Sequence, residues 1–115
     1  MKDDRVYLFH IRECLGRITQ YTVPGRDRFL SDTLIQDGVI RNLQTLAESS
    51  QRLSDVLKLG HQEVDWRNIA GFRNVIVHDY LGIDVEQIWD IVEQDLPKLR
   101  SAVDSMIIKL GDPQL

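Results

Sequence analysis

Residues 3–22 carry apolar side chains at the spacing of an amphipathic helix. The side chains that recur three or four positions apart are Leu8, Ile11, Leu15 and Ile18. This period places them on one helix face, which would turn toward a core. Pro24 and Gly25 follow, and both residue types interrupt a helix. The pattern predicts a first helix that ends just before them.

A second and longer periodic stretch covers residues 26–58. Its buried positions would be Leu30, Leu34, Val39, Leu43, Leu46, Ser50, Leu53 and Leu57. Gly38 falls inside the stretch and predicts a bend, and Gly60 predicts the end of the helix. We therefore expect one long second helix, bent near its first third.

The second half of the chain predicts two further helices. A short one over residues 65–78 would bury Ile69, Phe72 and Ile76, with Gly82 closing it. Asp84 is typical of an N-cap and opens a fourth helix, in which Pro97 predicts a kink. The apolar positions of that fourth helix are Val85, Trp89, Val92, Leu96, Leu99, Val103, Met106 and Leu110.

No stretch alternates apolar and polar residues for the length of a strand. The chain has 115 residues, of which 43% are hydrophobic, and this suits one core. We expect a single all-α domain over residues 1–115, folded as an up-and-down bundle of four to five helices. Its only cysteine, Cys14, rules out an internal disulfide and is predicted to lie in the core.

Charge and hydropathy restrict the possible partners. The net charge of −4 argues against a general polyelectrolyte binder, because such proteins carry an excess of Lys and Arg. Any contact with nucleic acid must therefore be local. No apolar run of about 18 residues exists, and the first residues are charged, so we expect neither a membrane span nor a signal peptide but a cytoplasmic protein.

Residues 73–80, with the sequence RNVIVHDY, gather the chemistry of a phosphodiester-cleaving site. Arg73 is a permanent cation whose guanidinium matches phosphate oxygens. His78 can accept and donate a proton near neutral pH. Asn74 and Tyr80 add an amide and a phenol. These groups can handle phosphate chemistry without a metal.

Helical geometry separates the two principal groups of this motif. Asn74 and His78 share a helix face with Arg67 and Gly71, whereas Arg73 lies about 140° from His78. The two could serve one phosphate through the length of the arginine, an unwound helix end, or a second copy of the chain, and we favour the second copy. A glycine on this polar face suggests close approach of a subunit or a sugar-phosphate backbone, although simple tolerance is the alternative.

The same residues also have purely structural interpretations. An Arg–His pair alone more often marks a solvated helix end than a catalytic site. Tyr80 could be a packing residue at the rim of the fold. Trp66 and Trp89 are predicted to be core residues, and His10 and His61 lack the spaced partners of a metal site. The charged side chains of the second helix, Arg41, Glu48 and Arg52, predict a solvated face that could line a groove.

Three blocks, in order, resemble the HepT-like branch of the HEPN superfamily. They are VIRNL (39–43) with residues 47–48 and 52–53, DWRNIAGFRN (65–74) leading into VHDY (77–80), and WDIV (89–92) with residues 95–97. The resemblance spans nearly the whole chain. It implies a helical bundle that dimerises, so that two Arg-x4-His motifs surround one cleft, and a metal-independent endoribonuclease that acts as the toxin of a type VII toxin–antitoxin pair.

Position by position, the resemblance assigns the catalytic motif to Arg73 and His78, the supporting polar residue to Asn74, and the end of a His-x-Tyr extension to Tyr80. It also implies an MNT-type nucleotidyltransferase antitoxin that transfers AMP onto Tyr80 and can join the dimer in a larger hetero-oligomer, and it implies no cofactor. Two alternatives stay open: a non-catalytic nucleotide-binding or scaffold subunit of a minimal nucleotidyltransferase complex, and a helical dimer of purely structural role.

Overall fold

A computed structural model describes residues 3–77 and 84–110, and for residues 73–77 it describes the backbone alone. These residues form seven α-helices, with a π-helical turn, Ile91–Asp95, between the last two. The helices are α1 (Asp4–Thr22), α2 (Arg26–Ser31), α3 (Thr33–Gln51), α4 (Asp55–Leu59), α5 (Trp66–Val77), α6 (Val85–Asp90) and α7 (Leu96–Leu110). Within the described ranges no residue lies in a strand, which confirms the all-α prediction.

Helix α1 begins and packs as the sequence predicts. The carboxylate of Asp3 accepts a hydrogen bond from the backbone N–H of Arg5 at 2.9 Å, which caps the free donors of the first turn. All four predicted core residues of this helix are buried, and so is Cys14. Burial raises the pKa of the Cys14 thiol, so this cysteine behaves as a small core residue.

The long helices run alternately up and down. At one end of the bundle the carboxylate of Asp4 accepts hydrogen bonds from the backbone N–H and hydroxyl of Ser54, at 2.9 and 2.8 Å. Helix α3 therefore ends where α1 begins. Near the start of α7, the guanidinium of Arg100 donates to the backbone carbonyl of Leu15 and the hydroxyl of Thr19, at 2.9 and 2.6 Å. Helix α5 packs on α3.

The prediction of one helix over residues 26–58 was wrong, because short polar side chains stop and restart it. Asp32 caps α3 by accepting from the N–H groups of Leu34 and Ile35, at 3.0 and 3.3 Å. Ser54 caps α4 by accepting from the N–H of Leu57 at 3.2 Å. A capped restart fixes the capping residue outside helical geometry, so the backbone turns there.

Two predicted core residues lie on the surface. Leu34 is 81% exposed. It stands nine positions before buried Leu43, about 180° away around the helix. Leu110 is the last residue of α7 and is 42% exposed. Trp89 is buried as predicted, whereas Trp66 is only partly buried.

Gly38 lies within the continuous helix α3 and has a packing role where the sequence predicted a bend. A Cβ at this position would stand 3.1 and 3.2 Å from two ring carbons of Tyr21. The missing side chain therefore allows the end of α1 to approach α3 closely.

The short helix α2 closes one end of the core. Phe29 is fully buried, and its ring lies 5.5 Å from that of Trp89 on α6, measured between centroids. The side-chain amide of Gln36 donates to the carbonyls of Phe29 and Leu30, at 2.9 and 3.2 Å. These bonds satisfy carbonyls at the end of α2 that a short helix leaves without partners.

Helix α6 begins at the predicted N-cap, Asp84. Asp84 accepts from the N–H groups of Glu86 and Gln87, at 3.1 and 3.3 Å. Where a kink was predicted at Pro97, the turn before it is π-helical, and the N–H of Leu96 bonds to the carbonyl of Ile91, five positions back. Proline has no N–H to donate, so a helix must rearrange near it. Among the described residues, none of the helices combines the length and hydropathy needed to cross a bilayer.

Candidate functional site

Helix α5 carries the first half of the predicted motif, and its start is held firmly. The carboxylate of Asp65 accepts from the N–H of Asn68 at 3.0 Å, and the backbone carbonyl of Asp65 accepts from the N–H of Ile69 at 3.1 Å. The indole N–H of Trp66 donates to the carbonyl of His61 at 3.0 Å. Cap and indole together fix where α5 begins and how it is rotated.

The inner face of α5 packs into the core. Ile69 and Phe72 are 2% and 1% exposed, as the sequence predicts. They are three positions apart and so lie on one side of the helix, against α3. This packing sets the rotation of the helix, and the backbone positions of Arg73 and Asn74 follow from it.

Of the four predicted site residues, two lie within the described part of the chain and two lie outside it. Arg73 and Asn74 belong to the C-terminal half of α5, and the described features of both are those of the backbone. His78 and Tyr80 lie outside the described residues, as does the third predicted core residue of this helix, the side chain of Ile76. The predicted approach of Arg73 to His78 therefore stays a prediction.

The outer face of α5 is open where the polar stripe was predicted. Arg67 is exposed. A Cβ added to Gly71 would meet no atom within 4 Å. Packing against the described residues therefore does not require glycine at position 71. The register of the helix places Asn74 one turn further along the same face.

Within the described part of the chain, three hollows border α5, and two of them are larger than the third, which has a volume of about 90 Å3. The larger of these two, of about 930 Å3, lies toward α4, and the smaller, of about 230 Å3, lies toward α6 and the π-helical turn. The larger is lined by Asp55, Lys58, Leu59, Gln62, Val64, Asp65, Trp66 and Arg67. The smaller is lined by Asn68, Gly71, Phe72, Gln87, Asp90, Ile91, Gln94 and Asp95. Each of these two hollows has two carboxylates in its lining, but only the larger also has cations, Lys58 and Arg67, and an indole, that of Trp66.

The sequence predicted only some of the residues that surround α5. Trp66 was expected in the core, yet it is partly exposed and lines the larger hollow. Lys58 was not singled out, because it belongs to a short helix that periodicity merged with α3. The charged residues Arg41, Glu48 and Arg52 are exposed as predicted, but they line neither hollow.

His61 and His10, for which the sequence predicts no metal-binding role, each contact a neighbouring side chain. His61 is buried, and its Nδ1 lies 3.1 Å from a carboxylate oxygen of Glu63. The ring of His10 meets that of Tyr7 edge-on, with 6.4 Å between centroids. Over residues 3–77 and 84–110, no group of three or more His, Cys, Asp or Glu side chains is arranged to hold a metal ion.

Comparison with known proteins decides the family. Residues 11–106 match the family model described as "Ribonuclease HepT-like". The chain belongs to the HepT-like ribonuclease family. This confirms the resemblance that the three sequence blocks carry.

The names of similar proteins agree with this family assignment. It is 33% identical over 102 residues to "Probable ribonuclease HepT" of Thermococcus cleftensis, covering 87% of this chain and 92% of the relative. It is 29% identical over 110 residues to "Putative RNase TTE0752" of Caldanaerobacter subterraneus subsp. tengcongensis, covering 95% and 98%.

A third relative is a longer protein. "Gamma-glutamylcyclotransferase and putative RNase MJ0434" of Methanocaldococcus jannaschii is 30% identical over 103 residues, which cover 89% of this chain but 46% of the relative. The chain thus spans about half of that protein's length. No solved structure matched the chain.

Proposed function

We propose that this HepT-like family member is a metal-independent endoribonuclease that acts as the toxin of a type VII toxin–antitoxin pair. The observation that carries the proposal is the occurrence of Arg73 on helix α5, followed five positions later in the sequence by His78, in a chain of a ribonuclease family. The polar face that precedes them, with Arg67 and Gly71, is free to meet a nucleic acid.

The chemistry needs three groups. A base removes the proton of the 2′-hydroxyl, whose oxygen attacks the adjacent phosphorus. An acid protonates the 5′-oxygen as the bond from phosphorus to that oxygen breaks, which leaves a 2′,3′-cyclic phosphate. Two copies of His78 can divide these roles, because imidazole serves as either partner near neutral pH. Arg73 stabilises the charge that builds on the phosphoryl oxygens, and Asn74 orients the imidazole or holds an oxygen.

Two copies of His78 require a homodimer. On a regular helix Arg73 and His78 point about 140° apart, so one chain presents them poorly to a single phosphate. A second α5 across a cleft supplies the missing group. Gly71 supports this arrangement, because the empty space over it leaves room for a neighbouring backbone.

Tyr80 is the proposed point of control. Transfer of AMP from ATP to its hydroxyl by an MNT-type nucleotidyltransferase would release pyrophosphate and leave a phosphodiester two residues from His78. The adduct brings bulk and negative charge to the RNA entrance, and both oppose a polyanion. We expect the antitoxin to bind the dimer during this step, in a hetero-oligomer.

The direct test is cleavage of total RNA in excess chelator by wild type and His78→Ala. General acid–base catalysis contributes roughly 100- to 10,000-fold, so we expect a loss of that size. His10→Ala is the matched control, because it removes an exposed histidine from α1 and should leave the rate unchanged. Cleavage that survives both His78→Ala and Arg73→Ala would contradict the enzyme proposal.

A second candidate function is a nucleotide-binding or scaffold subunit of the nucleotidyltransferase complex. The net charge of −4 and the carboxylates of the smaller hollow favour the scaffold form of this function, because both oppose binding of RNA. Expression of the chain without a partner separates the two functions. A ribonuclease toxin arrests growth, and the arrest disappears with His78→Ala, whereas a scaffold has no effect in either form.

A further inference from the structure

The larger hollow beside α5 combines the features that single-stranded RNA requires. Lys58 from α4 and Arg67 from α5 contribute cations, and Trp66 contributes a partly exposed indole. Proteins that hold single strands without a fixed sequence use this combination, with cations along the backbone and aromatic rings against the bases. The smaller hollow has two aspartates and, in its lining, no cation.

The cations of this hollow are available to a ligand. The side chain of Arg67 makes no hydrogen bond or ion pair within the described part of the chain, and it is exposed. Among the described residues, Lys58 has one ion pair, in which its Nζ lies 4.0 Å from a carboxylate oxygen of Asp55; the Lys58 side chain is 20% exposed and that of Asp55 is 96% exposed. Because the distance is long and the carboxylate extends into solvent, this pair contributes little, and a phosphate can replace the carboxylate beside Lys58.

The carboxylates of the lining oppose RNA less than their number suggests. The carboxylate of Asp65 caps the start of α5, where it accepts a hydrogen bond from the backbone N–H of Asn68. Its charge also lies at the positive end of the helix dipole, which offsets it in part. Asp55 extends into solvent beside Lys58. The cations therefore face the hollow with little competition.

Trp66 is held in a fixed orientation. Its indole N–H bonds to the carbonyl of His61, and it packs at the edge of the core. A ring that is already ordered loses little side-chain entropy when a base stacks on it. Trp89, by contrast, is 9% exposed and packs on Phe29, so it offers no comparable surface.

We propose that this hollow is the subsite for the RNA strand next to the cleaved linkage, with Lys58 and Arg67 binding successive phosphates and Trp66 stacking on a base. The inference rests on the proposed ribonuclease function and extends it to substrate binding. Arg67 and Arg73 lie six positions apart on α5, about 9 Å along its axis and about 120° around it. A strand of a few nucleotides covers that distance.

Binding can be measured without cleavage by using a fluorescently labelled 2′-O-methyl RNA, which has no free 2′-hydroxyl to attack. We expect Lys58→Ala and Arg67→Ala each to weaken binding several-fold at low salt. Each should also reduce the slope of log affinity against log salt by about 0.7, the value for one phosphate contact of a single strand. Arg17→Ala, an exposed arginine on α1 that lines neither hollow, should change neither quantity.

The stacking role has its own readout. Unlabelled RNA should quench tryptophan fluorescence in wild type and in Trp89→Phe, but not in Trp66→Phe. Trp66→Leu should weaken binding roughly tenfold or more, whereas Trp66→Phe, which keeps an aromatic ring but loses the bond to His61, should stay within a few-fold of wild type. Equal loss in the Leu and Phe variants would show a structural role for the indole and overturn stacking.

The outcomes separate this inference from the proposed function. If wild type cleaves RNA in chelator but the Lys58, Arg67 and Trp66 variants bind and cleave like Arg17→Ala, the subsite is wrong and the ribonuclease stands. If wild type neither binds nor cleaves RNA, both fail. Circular dichroism of every variant guards against unfolding, and Arg67→Gln, a smaller change on the exposed face, replaces any alanine variant that unfolds.

Discussion

The two faces of helix α5 differ in almost every property. The inner face buries Ile69 and Phe72 almost completely. The outer face exposes Arg67 and leaves empty space over Gly71. One helix thus anchors the bundle with one side and presents open polar surface with the other. Stability and the proposed chemistry reside on opposite faces, so substitutions should affect them separately.

The electrostatic surroundings of the outer face reinforce this contrast. Helix α5 contains two arginines and no acidic residue, although the chain as a whole carries a net charge of −4. The segment across the smaller hollow, α6 with the π-helical turn, contains Glu86, Asp90, Glu93 and Asp95. A nucleic acid would be attracted to the first element and repelled by the second. Local charge, and not net charge, is what bears on RNA binding here.

The largest effect is expected on the inner face, from Phe72→Ala. Removing a buried phenyl ring leaves a cavity that costs about 3–5 kcal/mol, a large fraction of the stability of a small domain. The measurement is the free energy of unfolding from urea denaturation. Leu34→Ala is the control, because it truncates an 81% exposed leucine and should change stability by no more than about 0.5 kcal/mol. A loss under about 1 kcal/mol at Phe72 would contradict the tight packing of α5.

On the outer face, we expect Gly71→Ala to raise stability and to lower RNA cleavage. Alanine stabilises a helix interior by roughly 0.5–1 kcal/mol relative to glycine, and here the added methyl group meets no atom within 4 Å. Stability should therefore rise. RNA cleavage in chelator should fall by about tenfold or more, because the methyl group occupies space that a strand or a second subunit approaches.

Gly16→Ala sharpens that prediction. Gly16 lies within α1, and a Cβ there also meets nothing within 4 Å. It should gain the same stability and keep full cleavage activity. If Gly71→Ala and Gly16→Ala remain equally active, position 71 is merely tolerant of glycine, and nothing approaches the outer face closely.

The sequence predicted those helices whose buried stripe is continuous. Leu8, Ile11, Leu15 and Ile18 all face the core, so α1 was predicted correctly. The stretch over residues 26–58 failed, because Asp32 and Ser54 interrupt it by capping, while the apolar spacing continues across them. Phe29 was missed for a related reason, since a six-residue helix is too short to show a period.

The candidate site was predicted as residues, but not as a surface. The motif placed Arg73 and Asn74 on a third helix, and α5 confirms that helix. The hollow that joins Lys58 to Trp66 and Arg67 depends on how α4 packs beside α5, which is a tertiary contact without a local signal. The same holds for Gly38, whose reason is the ring of Tyr21, distant in sequence.

The smallest predicted effect is on stability, from removing the charge of Asp32, which has a role in the fold but none in the proposed site. The guanidinium of Arg28 donates to the carboxylate of Asp32 at 3.0 Å, and this bond, with the N–H groups of Ile35 and Leu34, lowers the pKa of Asp32 below its ordinary value of 3.8. A lowered pKa contributes stability that is fully present above 3.8 and is lost as pH falls through the folded-state pKa. Asp32→Asn keeps a capping oxygen but cannot be charged.

Asp32→Asn should therefore be less stable than wild type at neutral pH, and the difference should shrink as the solution is acidified below 3.8. Thermal unfolding across this range measures it. At 1 M salt the difference should already be reduced at neutral pH, because the pair with Arg28 is screened. A difference independent of both pH and salt would mean that Asp32 acts only through its capping hydrogen bonds. In either case RNA cleavage near neutral pH should not change, since Asp32 lines neither hollow beside α5.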